Sequence, residues 1–519
     1  MVAAIQLAQL GWRVAVLERH AAPYPLPRAV GMDHEIARIL QNCGVADPLR
    51  ALIAPVTRYE WCDAAGQELI MFPGLDQIEI SGWPKGASFS QPELERVLDE
   101  RLRSLGGQVR VFRGWEATVV HQSEGRVEVI ARAFAEDGRH DHLSIQARFL
   151  VGCDGAGSFV RQSINSEYRD LGFSEDWVVC DFWPRDPSEW DSSMVQICDP
   201  ERPTTLMCGG PGRRRVEWML RAGERRQDFN ELESVWPLLA PLGWTPDNAR
   251  LERVATYHFR GCVAKKWVEG SVAIAGDAAH LTPPFAGQGL CAALRDAQAL
   301  VWRLNLILSG RAGAGLLQSY ETERSEHVTR FIRFAIDLGK VICVSDPAQA
   351  AARDAALRSK DTIKPASYPA YEIGPSPMLA GHTPHAGSLA LQTRVLAGGT
   401  IRLLDDVTGP GFVLLAWQHD PKASLSKAWL DFCEACRITI VVLNKEGGLG
   451  DVTGAYQRWF AALGTDTVLI RPDFYILGTG NPVELLEALK TALQQESDHP
   501  ARDNRLSNRG IRSRSSNYG

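Results

Sequence analysis

Three acidic residues follow predicted strands, at positions where a carboxylate can accept hydrogen bonds from the hydroxyl groups of a sugar. Glu18 closes the apolar run RVAVLE, Asp154 follows ARFLVGC, and Asp277 follows SVAIAG. An acid at the carboxyl end of a parallel strand is placed to bind a ribose. Each acid alone is weak evidence, because an acid after a strand is usually a solvated residue or a helix cap.

The turn after Asp154 is rich in small residues and reads CDGAGSFVR from 153 to 161. Glycines such as Gly155 allow the backbone to approach a ligand closely, and Arg161 adds a positive charge. A plain strand-to-helix turn, with Asp154 as its cap, explains the same residues about equally well. Both interpretations stay open on this segment alone.

A longer motif, SVAIAGDAAHLTPPFAGQG, occupies residues 271–289 and carries the most information. A buried strand ends at Gly276 and Asp277, and a Pro-Pro turn that begins at Pro283 leads to a long helix. The free backbone N–H groups of Gly287–Gly289 lie at the positive end of that helix, which suits an anion or an electron-rich ring edge. Two strand-end aspartates in Gly-rich turns, far apart in the chain, are hard to explain by capping alone.

The elements that position these turns alternate between helices and strands, as in an α/β fold. Helical periodicity and capping residues predict helices at 2–10, 33–44, 91–105, 289–308 and 317–340. Buried parallel strands are predicted at 13–18 and 271–277, and alternation predicts antiparallel strands at 125–133 and 143–151. The region 176–260 contains many strand-like pieces and little helical period.

The last third of the chain reads as a separate α/β unit. The Ala-, Asp-, Ser- and Pro-rich segment 341–380 is interpreted as a surface linker. Strands are then predicted at 400–404, 412–417, 437–443 and 467–470, with helices near 424–433, 451–463 and 482–494. The polar tail 496–519 is expected to be disordered.

Two of the cysteines, Cys433 and Cys436, have a CxxC spacing. They lie at the end of a predicted helix and not at its start, where a helix lowers a thiol pKa, so a redox pair is not expected. A zinc site would need further ligands at matching spacing, and we predict no metal site.

The composition is that of an ordinary globular protein of two or three domains, with 519 residues, 45% hydrophobic and 23% charged. A net charge of −6 argues against nucleic acid or an anionic membrane as a partner. No apolar run reaches the length of a membrane span, and the first residues lack the features of a secretory signal. Eleven scattered cysteines indicate reduced thiols, so a cytoplasmic location is expected.

Taken together, the three acidic motifs resemble those of the class A flavoprotein monooxygenases, over roughly residues 1–340. The resemblance implies that FAD and a reduced nicotinamide, NADH or NADPH, serve as cofactors. By the same resemblance, Glu18 binds the adenosine ribose, Asp277 the ribityl chain, and Asp154 serves the flavin and the nicotinamide jointly. The further FAD-binding positions that it implies are Arg28, Gln91, Gly155, Arg161, Gly276, Pro283, Gly287, Gln288 and Gly289. The Gly-rich phosphate turn and first strand of such a fold are expected before residue 1.

Within that family, the chain is most similar to the 3-(3-hydroxyphenyl)propionate/3-hydroxycinnamate hydroxylases. The stretches PRAVGMDHEIARIL, QICDPERPTT, LTPPFAGQGLCAALRDAQALVWRL and RPDFYILG carry this likeness. The implied fold is a discontinuous Rossmann-like FAD-binding domain (1–60, 85–170 and 256–340) with a mainly-β substrate-binding domain inserted (61–84 and 171–255). A linker (341–380), a thioredoxin-like domain (381–495) and the tail would follow.

The resemblance implies that a small phenol is hydroxylated with O₂ ortho to its hydroxyl group, 3-(3-hydroxyphenyl)propionate being the first candidate. Tyr257 and His258 are candidate substrate contacts, with a packed aromatic pair as nearly as good an account, and His280 is expected to be structural. An arginine would suit a substrate carboxylate, and the candidates are Arg202, Arg213, Arg214, Arg215 and Arg253.

Several alternatives remain open from the sequence. They are a hydroxylase of polyketide or other phenols, a flavin dehydrogenase or epoxidase of the same fold, and an FAD-free, non-catalytic protein. A homo-oligomer is also possible.

Overall fold

The computed structural model describes residues 1–123, 125–133, 141–359, 369–444 and 447–498, with side chains as far as residue 494. The predicted tail therefore lies outside the described residues apart from 496–498, which continue the last helix. Elements of the first part of the chain are α1 (Val2–Gln9), β1 (Val14–Glu18), β2 (Gly31–Asp33), α2 (His34–Asn42), α3 (Ala46–Leu52), β3 (Ile53–Pro55), β4 (Tyr59–Cys62), β5 (Glu68–Phe72), β6 (Gly86–Phe89), α4 (Gln91–Ser104), β7 (Val109–Arg113), β8 (Trp115–Ser123), β9 (Arg126–Ala133), β10 (His142–Ala147), β11 (Leu150–Gly152) and α5 (Phe159–Ser163).

The middle of the chain contains long strands followed by two long helices. Its elements are β12 (Tyr168–Pro184), β13 (Met194–Ile197), β14 (Thr204–Cys208), β15 (Arg214–Met219), α6 (Trp236–Leu239), β16 (Ala249–Ala264), β17 (Val268–Glu269), β18 (Val272–Ile274), β19 (His280–Leu281), α7 (Gln288–Leu308) and α8 (Leu316–Ile342).

The last part begins with a helix and then forms the C-terminal unit. Its elements are α9 (Pro347–Arg358), β20 (Arg394–Ala397), β21 (Thr400–Leu403), α10 (Leu404–Thr408), β22 (Phe412–Trp417), α11 (Lys427–Ala435), β23 (Ile438–Leu443), β24 (Gly450–Asp451), α12 (Ala455–Leu463), β25 (Thr467–Ile470), β26 (Ile476–Thr479) and α13 (Pro482–Asp498).

Parallel strand pairs carry the three acidic motifs. β1 pairs with β7, in register from Val14 opposite Val109 to Glu18 opposite Arg113. β11 pairs with β18, so that the Asp154 and Asp277 turns leave the same edge of one sheet. β18 is fully buried, as its apolar sequence predicts. β1 is only partly buried, so the prediction of a buried strand at 13–18 is wrong in that respect.

An eight-stranded sheet forms the second layer, in the order β19-β16-β12-β15-β14-β13-β4-β5. One of its faces packs against the segment 226–242 and buries Val178, Cys180, Val216 and Trp218. The alternate positions of the same strands face the other way, toward the loop before α7 and toward α8. The predicted domain boundary at residue 255 falls inside β16, which is one continuous strand paired with β12.

The C-terminal unit is built on a four-stranded sheet in the order β23-β22-β25-β26. β22 and β23 are parallel, whereas β25 lies antiparallel to both β22 and β26. The strands of this sheet are largely buried, and α13 packs against them, with Leu485, Leu486 and Leu489 in the main core.

Two predictions of the sequence analysis need correction. The strand predicted at 143–151 is two strands, because only β10 pairs antiparallel with β9 whereas β11 pairs parallel with β18. The predicted linker at 341–380 contains α9, which Asp346 caps by accepting a hydrogen bond from the Gln349 backbone N–H at 2.8 Å. Residues 360–368 of that segment lie outside the described part of the chain. Within the described residues, no helix is long and apolar enough to cross a membrane.

Candidate active site

The turn at Asp277 is shaped by the glycine that precedes it. Gly276 has a φ of +63°, and its backbone N–H donates to Asp296 Oδ2 at 3.0 Å. Solvent reaches the Asp277 side chain, but the surrounding protein desolvates it and raises the pKa of the carboxyl, with His280 and Arg28 opposing the shift. Among the described residues, no hydrogen bond to the Asp277 carboxyl is formed, so it is available to a ligand in a cleft.

The Asp154 carboxylate, unlike that of Asp277, already accepts hydrogen bonds from the protein. Its Oδ1 accepts from Ser158 Oγ at 2.5 Å and its Oδ2 from the Val160 backbone N–H at 3.0 Å. Both carboxylate oxygens therefore hold the start of α5, which is the capping interpretation of this motif. Gly155 has a φ of +81° and open space around it, so the backbone of this turn remains accessible.

Arg161 ties the two turns together. Its guanidinium donates to the Ala278 carbonyl oxygen at 3.2 Å and to the Ala156 carbonyl oxygen at 3.0 Å. It also lies 3.8 Å from the ring centroid of Tyr168, whose hydroxyl group donates to the Asp277 carbonyl oxygen. The side chain is buried and links the two turns, and a contact of Arg161 with FAD remains a prediction.

Arg28 and Gln91 meet at one segment of the chain. Gln91 begins α4, and its Oε1 accepts from the Ala29 backbone N–H at 2.7 Å. Arg28 is exposed and lies 4.2 Å from the centroid of the Tyr24 ring. Its charge opposes the rise in the pKa of the Asp277 carboxyl, which indicates that Arg28 borders the same cleft.

The loop before α7 has the features expected of a cradle for a planar ring. Pro283 is buried, a 3₁₀ turn follows at Pro284–Ala286, and Gly287 has a φ of +63°. The Gly287 and Gly289 positions have no atom within 4 Å of where a Cβ would lie, and Gly289 is half-buried in the first turn of α7. Within the described part of the chain, the buried Thr282 hydroxyl group has no hydrogen-bond partner.

Gln288 faces away from that open space. Its side chain is buried, donates to Asp33 Oδ2 at 3.2 Å and accepts from Arg295 Nη1 at 3.0 Å. Arg295 in turn forms ion pairs of 2.5 Å with both Asp33 and Glu35. The side chain of Gln288 therefore anchors the start of α7, and only its backbone faces the loop.

Glu18 lies at the end of β1 as predicted, and its Oε1 accepts from the His20 backbone N–H at 2.9 Å. Of the residues that the structure describes, none of the other predicted FAD contacts forms a hydrogen bond with it. Its proposed role at a ribose remains a prediction.

The two candidate substrate contacts, Tyr257 and His258, lie on opposite faces of the eight-stranded sheet, as neighbours on a strand must. The Tyr257 ring stacks on Phe259 at 5.9 Å, and Arg253 donates to its hydroxyl group. His258 is exposed, with Nδ1 2.9 Å from Asp176 Oδ1. The structure therefore does not bring the pair to one ligand.

The face with Tyr257 carries an aromatic cluster that sequence reasoning missed. Trp177 is opposite Tyr257 in the register of β12 and β16 and is fully buried. Its ring centroid lies 5.5 Å from that of Phe285, in the loop before α7. The alternation of strand residues was the available signal, because Trp177, Tyr257 and Phe259 are odd-numbered positions of paired stretches of β12 and β16 and so share one face.

All five candidate arginines have partners within the protein. Arg202 pairs with Glu224 at 2.5 Å, Arg213 with Glu93 and Glu252, and Arg214 with Asp191 at 2.8 Å. The remaining two, Arg215 and Arg253, face the inner side of the sheet.

Arg215 and Arg253 hold the segment before Arg28. Arg215 forms a bidentate pair with Asp181, at 2.7 and 2.9 Å, and donates to the Arg28 carbonyl oxygen at 2.5 Å. Arg253 donates to the Pro27 carbonyl oxygen and lies 3.7 Å from Asp181. Both charges are therefore compensated by an acid and used to bind backbone.

His280 and the CxxC cysteines have structural environments. His280 is fully buried, with Nε2 2.7 Å from Asp296 Oδ2. Cys433 lies in the last turn of α11, and Cys436 follows it. Burial raises the pKa of the Cys433 thiol to about 11 and also raises that of Cys436, which disfavours the reactive thiolate.

Comparison with known proteins places the chain in a family. Residues 1–335 match the family described as FAD binding domain, and residues 387–495 match the HcaD C-terminal domain. The chain is similar to a probable NADH-specific resorcinol 4-hydroxylase of Rhodococcus jostii, with 34% identity over 95% of this chain and 92% of that protein. It is also similar to a 3-(3-hydroxy-phenyl)propionate/3-hydroxycinnamic acid hydroxylase of Escherichia coli, with 28% identity over 93% and 90% of the two chains.

Solved structures have the same fold. The flavin-dependent monooxygenase PieE, in complex with FAD and substrate, superimposes with a TM-score of 0.79 over 95% of this chain and 97% of its own, at 20% identity. Aklavinone-11 hydroxylase, with FAD and aklavinone, gives a TM-score of 0.74 over 96% and 97%, at 24% identity. With the family match over most of the chain, these likenesses show that the chain belongs to the FAD-binding-domain family of FAD-dependent aromatic hydroxylases.

Proposed function

We propose that this enzyme uses NADH and O₂ to hydroxylate a small, uncharged phenol of the resorcinol type ortho to a hydroxyl group. The choice of substrate class rests on one observation: all five candidate arginines are already paired with acidic residues of the protein. A substrate carboxylate needs a cation that is free to pair with it, and each of these guanidinium groups already has an acid partner. The name of the Rhodococcus relative supports both resorcinol and NADH.

The residues of the cleft fit FAD. Asp277 offers an unshared carboxylate for ribityl hydroxyl groups, and Gly287–Gly289 offer open backbone N–H groups at the positive end of a long helix. Arg161 and Tyr168 keep the two turns in fixed relation. When bound, FAD supplies the electron transfer from nicotinamide to oxygen and the oxygen transfer to the ring.

The chain itself positions the substrate and excludes water. Trp177, Phe259 and Phe285 form an apolar wall between the sheet and the loop before α7. Such a wall protects oxygen transfer from water. Tyr257, held by Arg253, supplies a hydroxyl group at the margin of this wall.

We further infer that the C-terminal unit is thioredoxin-like in topology and structural in role. The strand order β23-β22-β25-β26, with one parallel and two antiparallel pairings, supports the topology. The raised thiol pKa values at Cys433 and Cys436 support a role without redox chemistry.

The proposed function is tested with the purified, flavin-loaded enzyme. NADH oxidation is followed at 340 nm, the absorption band of reduced nicotinamides, with resorcinol and with 3-(3-hydroxyphenyl)propionate, and the products are analysed by mass spectrometry. We expect resorcinol to stimulate NADH oxidation and to gain one oxygen atom derived from ¹⁸O₂. A preference for the phenylpropionate would refute the uncharged substrate class, and a chain that binds no flavin would refute the hydroxylase itself.

A further inference from the structure

A cavity of about 560 Å³ lies between β12 and the C-terminal end of α8. Its volume is in the range of sites that bind small molecules. Phe173 and Gly339 form its buried part, whereas the side chains of Asp170 and Lys340, which also line it, are exposed. The cavity is therefore reached from solvent.

Phe285, in the loop before α7, separates this cavity from the aromatic wall. Its ring centroid lies 5.6 Å from that of Phe173 in the cavity and 5.5 Å from that of Trp177 in the wall. A Cβ on Gly339 would lie 2.8 Å from the rings of both Phe173 and Phe285, so the absence of a side chain there lets both rings pack on α8. One aromatic ring thus lies between the cavity and the wall.

Glu175 provides the cavity with a hydrogen-bond acceptor that the protein does not use. It is half-buried and lies opposite Phe259 in the register of β12 and β16. Among the described residues, its carboxyl forms no hydrogen bond or ion pair. Desolvation raises the pKa of Glu175, with Asp176 adding to the shift and His258 opposing it. A carboxyl oxygen accepts a hydrogen bond in either protonation state.

The charged groups at the mouth of the cavity are already paired. Lys340 lies 3.1 Å from Asp337, and Asp170 lies 2.9 Å from Arg260. The described lining therefore offers an aromatic surface and a free acceptor but no unpaired cation. These features fit an uncharged phenol, whereas a ligand carboxylate would need a cation.

We propose that this cavity is an entry site for the phenol, where its hydroxyl group donates to Glu175 and its ring packs on Phe173 before it passes Phe285 to reach the aromatic wall. The proposal rests on the proposed function, from which it takes the uncharged phenol as ligand. It adds a second binding position, outside the aromatic wall, and names the residue that recognises the hydroxyl group there.

Cys343 reports whether the cavity is occupied, because its half-buried side chain lines it. Burial raises the pKa of its thiol, and the charge of Glu175 adds to the shift, so the two side chains lie near each other. The flavin-loaded enzyme, without NADH, is treated with methyl methanethiosulfonate at increasing resorcinol concentrations. Mass spectrometry then follows the modification of Cys343, and we expect resorcinol to protect it.

Two substitutions of similar size separate the acceptor from the shape of the cavity. In Glu175→Leu, half-protection of Cys343 should need about tenfold more resorcinol, because a hydrogen bond is lost. Glu175→Gln keeps an acceptor oxygen and should behave nearly as the wild type does. Because Glu175 has no partner in the described structure, neither change removes a contact on which folding depends.

Three results would overturn the binding site. They are a wild type in which resorcinol does not protect Cys343, equal protection in the wild type and Glu175→Leu, and loss of protection in Glu175→Gln as well. The last result would show that the acceptor oxygen is not what the ligand recognises.

Stopped-flow measurement of resorcinol binding, from the change in flavin absorbance, tests whether the cavity lies on the entry route. Glu175→Leu should slow association and dissociation alike, by up to about tenfold, and leave the Kd at the flavin unchanged. A merely structural defect would change that Kd. An unchanged association rate would show that the cavity is not on the route and would overturn the entry role.

Failure of the proposed function gives a different result. If resorcinol protects Cys343 but is not hydroxylated, the proposed function is contradicted and the binding site still stands. If resorcinol is hydroxylated but does not protect Cys343, only the entry site is contradicted.

Discussion

At the scale of single residues, the two strand-end aspartates have different roles although their sequence settings are alike. Both carboxylate oxygens of Asp154 accept hydrogen bonds within the protein, from Ser158 Oγ and from the Val160 backbone N–H. Asp277 makes no such bond in the described structure, and desolvation by the surrounding protein raises the pKa of its carboxyl. The sequence places both acids at strand ends, but only the structure shows which carboxylate is left for a ligand.

Replacement of each aspartate by alanine separates these roles. Asp154→Ala should cost about 1 kcal/mol of the free energy of unfolding, the usual worth of a helix cap. Asp277→Ala should leave that free energy unchanged but weaken FAD binding by about 10- to 100-fold, since a hydrogen bond to a charged group is lost. Urea unfolding of the flavin-free protein and FAD titration measure the two effects. Equal loss of stability in both variants would contradict this assignment.

At the scale of the elements, two glycines in left-handed conformation adjoin the cleft under different constraints. A Cβ on Gly276 would lie 3.1 Å from Ala293 Cβ, whereas a Cβ on Gly287 would meet no atom within 4 Å. At Gly287, only backbone strain therefore disfavours a residue with a side chain. At Gly276, both backbone strain and the contact with Ala293 disfavour it.

Alanine at these two positions should give unequal losses of stability. Gly287→Ala is expected to cost about 1 kcal/mol from the positive φ, and Gly276→Ala about 2 kcal/mol or more because the contact with Ala293 is added. Both values come from urea unfolding monitored by circular dichroism. A Gly276→Ala variant no less stable than Gly287→Ala would show that α7 shifts to make room.

The sequence predicts elements well where the signal is local. The buried strand at 272–274 and the helix from 288 follow from apolar runs and a glycine start. α9 was missed because its Ala-rich composition was interpreted as a linker, although Ala and Arg are strong helix formers and Asp346 and Pro347 form a standard start. The separation of Tyr257 from His258 also follows from local alternation, whereas the pairing of β11 with β18 depends on contacts distant in the chain.

At the scale of the whole molecule, buried polar contacts join the C-terminal unit to the FAD-binding region. Arg38 on α2 forms a bidentate pair with Asp405 at 2.7 and 2.9 Å. Tyr475 donates to Glu35 Oε1 at 2.8 Å, and Glu35 pairs with Arg295, which holds Gln288. No local pattern could predict the pairing of Arg38 with Asp405 or of Glu35 with Tyr475 and Arg295, because these partners are hundreds of residues apart. The two regions should therefore unfold together.

Two neighbouring acids test this junction. Asp405→Asn leaves the buried Arg38 without its counter-charge, and loss of one partner of a buried pair costs about 3–5 kcal/mol. Asp406→Asn is the matched control, because an amide oxygen can still accept from Gln41, now at 2.7 Å, and should cost less than about 1 kcal/mol. Thermal unfolding should remain a single transition in both. Two separate transitions in the wild type would contradict the joint unfolding.

The alternation of the eight-stranded sheet also has a practical consequence for directed evolution. Odd-numbered positions of β14 and β15, of β12 from Trp177 to Asp181 and of β16 from Arg253 to Phe259 face the cleft, whereas Val178, Cys180, Val216 and Trp218 belong to a separate core behind it. A bulge in β16 before Arg253 reverses the alternation, so Ala249 and Leu251 also belong to that core. A mutant library meant to broaden the range of accepted phenols can be confined to these cleft-facing positions, with the buried ion pairs of Asp181 with Arg215 and Arg253 kept. The core behind the sheet then stays unchanged, so the search for new activity costs less of the stability of the fold.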